Sequence, residues 1–184
     1  MPHYFDDGEL KSLLTVAYDH NRLHHLALLV ALCHGLRVSE LLGLTTDDLV
    51  GGYLRIVAKK DGVVALQPLH KSDNPIFDEA RVLPGHAHGV RMSGETRLFP
   101  WTRQHLDTTI KKYGGLAGVH PDKCHAHSLR HSTAMLVFRE TISLGSVKNM
   151  LRHKSWDSSL VYLNEIDNTK GIAGRDAALA TIAR

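Results

Sequence analysis

The chain has 184 residues and a mass of 20.4 kDa, with 43% hydrophobic and 22% charged residues. That suffices for one buried core and is too apolar for a disordered chain. Leu26 to Cys33, the longest apolar stretch, is too short for a membrane span. The opening MPHYFDDGEL has no basic start or apolar run of a secretory signal, and two cysteines make no disulfide framework. These features argue against membrane, secreted and fibrous classes, and the expectation is a reducing, cytoplasmic protein.

The formal net charge of +3 hides an asymmetry. Residues 1–100 carry 10 Lys and Arg against 12 Asp and Glu, whereas residues 101–184 carry 12 against 7. Fourteen histidines can add positive charge to any face that meets a polyanion. A basic C-terminal half suits a nucleic-acid partner, but charge this modest identifies none without a motif.

In chain order, Asp6 with Glu9 reads as a capping box, followed by Leu10, Leu13, Leu14 and Ala17 at helical spacing. A second helix runs from about Arg22 to Cys33 and stops at Gly35. Val38–Leu42 is a short third, and Thr45–Leu49 a turn of helix. Two strand-like runs, starting at Tyr53 and Val63, flank Lys60-Asp61-Gly62, a strong hairpin signal because both turn positions favour positive φ. Asp78–Leu83 reads as a short helix, and Pro84 to Thr96, rich in Gly and His, as loop. Helix resumes after Thr102 and is expected to end at a left-handed Gly114-Gly115 stop. Ser128–Glu140, Ser146–Leu151, Ser158–Leu163 and Arg175–Ala183 are further helical candidates. The pattern is an α+β class: a mostly helical compact domain with a small antiparallel β-hairpin or sheet. No phosphate-binding loop or dinucleotide fingerprint is present.

Three segments carry chemistry. In Gly35-Leu36-Arg37-Val38-Ser39-Glu40 the glycine breaks one helix, so that Arg37 opens the next near free backbone N–H groups, with Glu40 one turn on to hold its guanidinium. In His125-Ala126-His127-Ser128-Leu129-Arg130-His131, His127 and Arg130 share a helical face, a pairing that can grip a phosphate and move a proton. The competing readings are a surface arginine in a helix pair, a satisfied core histidine, and metal ligation by His125 and His127 or by His86 and His88. No Asp, Glu or Cys set completes a tetrahedral metal site around them. The third segment holds Arg152, His153 and, nine positions after the histidine, Tyr162 beyond a polar turn.

Arg37 in GLRVSEL, then His127-x-x-Arg130-His131, then His153 and Tyr162, in this order and spacing, resemble the tyrosine recombinase (phage integrase) family over nearly the whole chain. The resemblance implies that Arg37 and Arg130 clamp the scissile phosphate, with His153 as a third donor. It further implies that His127 assists proton transfer at the tyrosine hydroxyl and that Tyr162 attacks phosphorus to give a 3′-phosphotyrosyl link. The hairpin lysine that would protonate the leaving 5′-oxygen maps to Lys59, with Lys60 as the alternative, and Glu40 falls where an acidic residue supports the first arginine. Arg152 departs from the family's usual glycine, and is expected either to reach DNA backbone or to displace His153 slightly.

By the same resemblance, residues 1–184 are expected to form a single catalytic domain without the family's N-terminal core-DNA-binding domain, either as a natural single-domain member or as a catalytic fragment. Residues 164–184 form a connector and helix that dock on their own domain or on a neighbouring protomer. The expected partner is a double-stranded DNA recombination site, with a homo-tetramer on paired sites, a monomer or weak dimer without DNA, and no membrane. Neither ATP, a cofactor nor a metal is expected. The functional expectation is a site-specific recombinase or integrase; the alternatives are a type IB-like topoisomerase and a catalytically inactive DNA-binding regulator of the same fold.

Overall fold

A computed structural model describes residues 3–58, 64–160 and 162. Helix α1 (Asp7–His20) starts as the sequence predicts: the Asp6 carboxylate accepts from the Glu9 amide and the Glu9 carboxylate from the Asp6 amide, each at 2.8 Å. Leu10, Leu13, Leu14 and Ala17 form its buried face. Helix α2 (Arg22–His34) is capped by Asn21 and is apolar nearly all round, because it runs through the centre of the domain against helices on several sides. It ends at Gly35 in the left-handed region, φ 55°. The short α3 (Val38–Leu41) follows with Arg37 as its N-cap, and a 3-10 turn spans Thr46–Asp48.

The sheet has three antiparallel strands in sequential order, β1 (Leu49–Val50), β2 (Tyr53–Val57) and β3 (Val64–Pro68). Leu54 and Ile56 enter the core while Tyr53, Arg55 and Val57 face out, the period of two expected of a half-buried strand. The predicted hairpin is therefore present, and its turn, residues 59–63, lies outside the described residues. Strand β1 went unread in the sequence because two residues carry too little pattern.

Two expectations are corrected. Pro84 to Thr96 is not loop: α4 spans Glu79–Met92, with Pro84 inside it. Proline costs this helix the bond its nitrogen would have given, yet Glu79, Leu83 and Ala87 lie on one buried face and His86 bonds the Leu98 carbonyl at 2.8 Å. Tertiary packing outweighs a poor local propensity. Likewise Gly114-Gly115 does not stop its helix. Helix α5 (Arg103–Leu116) runs through both, and the left-handed residue is Gly118, φ 73°. Gly114 is needed for close approach instead, since a Cβ there would sit 2.3 Å from the Cys124 sulfur.

Helix α6 (Ala126–Thr141) and α7 (Leu144–Leu151) pack together, and a last turn, α8 (Asp157–Leu160), leads to Tyr162. The main core gathers leucines of α1 and α2 with Phe5, Leu54, Ile56, Phe99, Ile110 and Tyr113. A smaller cluster joins Ala134, Met135 and Phe138 of α6 to Val147 and Leu151 of α7, and it includes Tyr162. The predicted tail helix lies outside the described residues.

Gly35 is where α2, α6 and α7 come closest: a Cβ there would meet Leu151 Cδ2 at 2.5 Å and Thr133 Cγ2 at 3.2 Å. Gly35→Ala is expected to destabilise the domain by about 2–4 kcal/mol, combining a left-handed backbone with overpacking. Gly85→Ala, in an open position inside α4, should instead gain up to about 1 kcal/mol. Urea unfolding of both variants measures the two signs.

Candidate active site

The site forms where the C-terminal ends of α2 and α7 converge on the first turns of α3 and α6. Their last carbonyls are orphaned acceptors carrying partial negative charge, and arginines occupy them. Arg130, on α6 and 3% exposed, donates through Nη1 to the Gly35 carbonyl and through Nη2 to the Leu151 carbonyl at 2.6 Å. Burial and the neighbouring Arg37 charge lower its pKa to about 10, which leaves it cationic at neutral pH. Arg37 lies two residues after Gly35 and its side chain remains 40% exposed, so its guanidinium can meet a ligand.

Glu40 ties these cations together. Its carboxylate accepts from the Arg37 amide at 2.9 Å and from Arg37 Nη1 at 2.7 Å. It also accepts from Arg152 Nη2 at 3.0 Å, with Arg130 Nη1 3.8 Å away. Burial alone would raise the Glu40 pKa, but the Arg37 amide, the Arg152 charge and the bonds from both guanidiniums hold it below the ordinary carboxylate value. The sequence expectation that Glu40 holds Arg37 is met. Arg152 does not reach outward toward DNA: it is 7% exposed and its guanidinium turns into the protein.

Tyr162 is 1% exposed, its ring in the α6–α7 apolar cluster and its hydroxyl 2.6 Å from His131 Nδ1. Burial pushes its pKa up to about 12, partly opposed by Arg130, so the phenol keeps its proton at neutral pH. The hydroxyl's partner is thus His131 rather than His127, whose ring packs edge-on against His131 with centroids 4.5 Å apart. Sequence reasoning gave His131 no role. The available signal was its spacing, one helical turn after His127 and adjacent to Arg130. The His127 pKa is lowered by burial and then by Arg130, His125 and Arg37, which places it within the field of the same cations. His153 bonds Ser159 Oγ through Nδ1 at 2.9 Å. Burial, then Arg130 and Arg37, lower its pKa to about 4.

The expected residues Arg37, Glu40, Arg130, His127, His153 and Tyr162 therefore come from α3, α6, α7 and the following turn into one region. Lys59 and Lys60 lie outside the described residues. A cavity of about 750 Å³ opens beside this cluster, lined by Arg37, Ser39, Arg103, Gln104, His125 and His127 among others. Among the described residues no helix is long and apolar enough to cross a membrane.

Residues 3–168 match the phage integrase family, and the chain belongs to it. A tyrosine recombinase of Thermosipho africanus is 28% identical over 174 residues, covering 92% of this chain and 60% of that protein. The tyrosine recombinase XerD of Proteus mirabilis is 33% identical over 138 residues, covering 70% of this chain and 43% of XerD. The chain thus spans 60% or less of the length of these relatives. Among solved structures, XerH recombinase bound to its difH substrate superposes with a TM-score of 0.72 at 22% identity, covering 88% of this chain and 50% of that one. The catalytic core of lambda integrase gives 0.66 at 20% identity, covering 83% of this chain and 92% of that one. The fold is that of tyrosine recombinase catalytic domains.

The imidazoles predict an acid-labile site. Burial first, then neighbouring positive charge, lowers both His131 and His153 from 6.5 to about 4. The folded state therefore resists protonation that the unfolded chain accepts, so this stabilisation is complete above pH 6.5 and is lost as pH falls toward 4. Melting temperature measured across that interval should fall with pH, and less steeply in the His131→Gln, His153→Gln double variant. Equal slopes would contradict the assignment.

Proposed function

We propose that the chain cuts and rejoins DNA at a specific site by transesterification through Tyr162. The observation that carries this reading is a charge imbalance beside a phenol: one buried carboxylate, Glu40, faces three guanidiniums, with neutral imidazoles alongside. A phosphodiester resists nucleophiles because of its own negative charge, and its transition state concentrates more charge on the non-bridging oxygens. Guanidiniums already fixed by the protein, Arg130 by carbonyls and Arg37 by Glu40, stabilise that charge without reorganising. Arg37 and Arg130 would grip the phosphate, and His153, whose Nδ1 is engaged by Ser159, would donate through Nε2.

In the forward step the Tyr162 oxygen bonds to phosphorus and the bond to the 5′-oxygen breaks. The phenolic proton passes to His131 Nδ1, for which that nitrogen must be unprotonated, as the lowered pKa favours. The phosphate itself, once bound, adds negative charge beside His131 and strengthens it as a base. His127 would support this transfer through its contact with His131. The leaving 5′-oxygen takes its proton from the hairpin lysine, assigned to Lys59 with Lys60 as the alternative. Because the phosphotyrosyl bond conserves the energy of the broken phosphodiester, rejoining needs no ATP, and the scheme uses no metal.

The partner in this reading is a double-stranded recombination site, with a homo-tetramer assembling on paired sites. XerH and lambda integrase, the latter as a tetramer on a Holliday junction, were solved on DNA. An apolar cleft of about 360 Å³ lined by Leu10, Leu29, Leu32, Phe77, Leu136 and Val137 has the chemistry that an apolar tail segment would require.

Nicked duplexes with a randomised core, incubated with the protein and resolved on a denaturing gel, should yield a covalent protein–DNA adduct. Tyr162→Phe should abolish it, while Tyr53→Phe should not; adduct persisting in Tyr162→Phe would disprove the nucleophile. Arg37→Ala and Arg130→Ala should each slow cleavage by about 10²-fold or more, the scale of losing one preorganised donor. A chelator should change nothing, and loss of cleavage restored by added metal would favour metal-dependent chemistry.

A further inference from the structure

Arg152 occupies a left-handed backbone, φ 56° and ψ 43°, at the C-terminal cap of α7, a conformation glycine adopts at lower cost. What compensates is visible in its side chain. Nη1 donates to the His34 carbonyl at 3.1 Å and to the Met150 carbonyl at 2.9 Å. Nη2 donates to the Gly35 carbonyl at 3.3 Å and to Glu40 Oε2 at 3.0 Å. Its Nε has no partner, and it is the one buried side-chain nitrogen or oxygen among the described residues of which that is true. One planar guanidinium thus spans the last turn of α2, the last turn of α7 and the carboxylate that holds Arg37.

The bridge extends to the sheet. The Met150 carbonyl also accepts from Gln67 Nε2 on β3 at 3.1 Å, and Gln67 Oε1 meets His34 Nδ1 at 2.8 Å. Gly35, whose carbonyl Arg152 shares with Arg130, is two residues from Arg37; Arg152 itself is bonded in the chain to His153. The two helix ends it joins are the ones that carry the phosphate-gripping groups.

We propose that Arg152 is a positioning residue for strand cleavage: its buried guanidinium fastens the C-terminal ends of α2 and α7 to each other and to Glu40, so that Arg37, Arg130 and His153 present one preformed anion site. It touches no substrate. The inference rests on the phosphate-site reading above, and its role is geometric: without it, α2 and α7 each lose a donor to their terminal carbonyls, and Glu40 keeps the Arg37 hydrogen bonds with Arg130 Nη1 3.8 Å away.

The test uses the whole chain, with Arg152→Gly, which relieves the backbone and leaves a guanidinium-sized hole, and Arg152→Lys, which keeps the charge but cannot span four acceptors. Thermal melts first fix a temperature at which each variant is folded, and a variant that does not fold leaves the other to decide. Orthovanadate, a mimic of five-coordinate phosphorus, is the anion probe, read by vanadium NMR. Both substitutions should weaken vanadate binding by about tenfold or more, the scale expected when reacting groups are misplaced, and millimolar guanidinium should restore binding in Arg152→Gly but not improve the wild type. Hydrogen–deuterium exchange needs no ligand: amides of residues 35–41 and 150–153 should lose protection together. Wild-type vanadate affinity in a folded variant, or unchanged protection of both segments, overturns the inference. A wild-type protein that binds no vanadate counts against the proposed function instead, and the exchange result then decides the role of Arg152 alone.

Discussion

A single buried carboxylate organises this domain. Glu40 is inaccessible to solvent and lies within 4 Å of guanidinium nitrogens from Arg37, Arg130 and Arg152, which reach it from three parts of the chain. An ion pair removed from water is worth keeping only if its partners are fully hydrogen-bonded, and here they are bonded mainly to helix ends. The carbonyls of Gly35 and Leu151 receive Arg130, and those of His34, Gly35 and Met150 receive Arg152. The helix-end acceptors of α2 and α7 thereby engage the terminal nitrogens of both arginines, leaving the Arg152 Nε without a partner. The remaining positive charge is not cancelled inside the protein. It is available at the cleft beside Arg37, where an anion can complete the balance.

The placement of Tyr162 follows a different logic. Its ring belongs to an apolar cluster with Phe138, Met135 and Leu151, while its hydroxyl reaches His131. Burial makes the phenol a weaker acid and the neighbouring imidazole a weaker base, so at neutral pH the proton stays on the phenol. Negative charge arriving between Arg130 and His153 reverses part of that penalty, since it favours protonation of the imidazole. In the proposed reaction this arrangement would keep the proton on Tyr162 until a phosphate is bound.

Comparison of the elements shows where local pattern suffices. The capping box of α1, the left-handed Gly35 stop and the alternation of β2 are each fixed by neighbouring residues, and all three appear as read. Helix α4 was not legible, because Pro84, two glycines and two histidines within it argue for loop, and what holds it is tertiary: packing against the core, the Glu79 bonds to His34 and His70, and the His86 bond to the Leu98 carbonyl. Gly114 was misread for the same reason: a glycine looks alike whether it permits positive φ or admits a sulfur atom against its Cα.

At the site, the order of residues carries the spacing of Arg37, Glu40, His127, Arg130, His153 and Tyr162 and predicts the contact of Arg37 with Glu40, because residues three apart on a helix lie on one face. It did not determine which imidazole receives the tyrosine hydroxyl, nor that Arg152 points inward. Those depend on the angle at which α7 packs against α6, which brings His131 to a hydroxyl 31 residues on, and on where the end of α2 arrives beneath it, a contact across more than a hundred residues of chain. Spacing along a helix fixes which side chains share a face; only packing decides what that face meets.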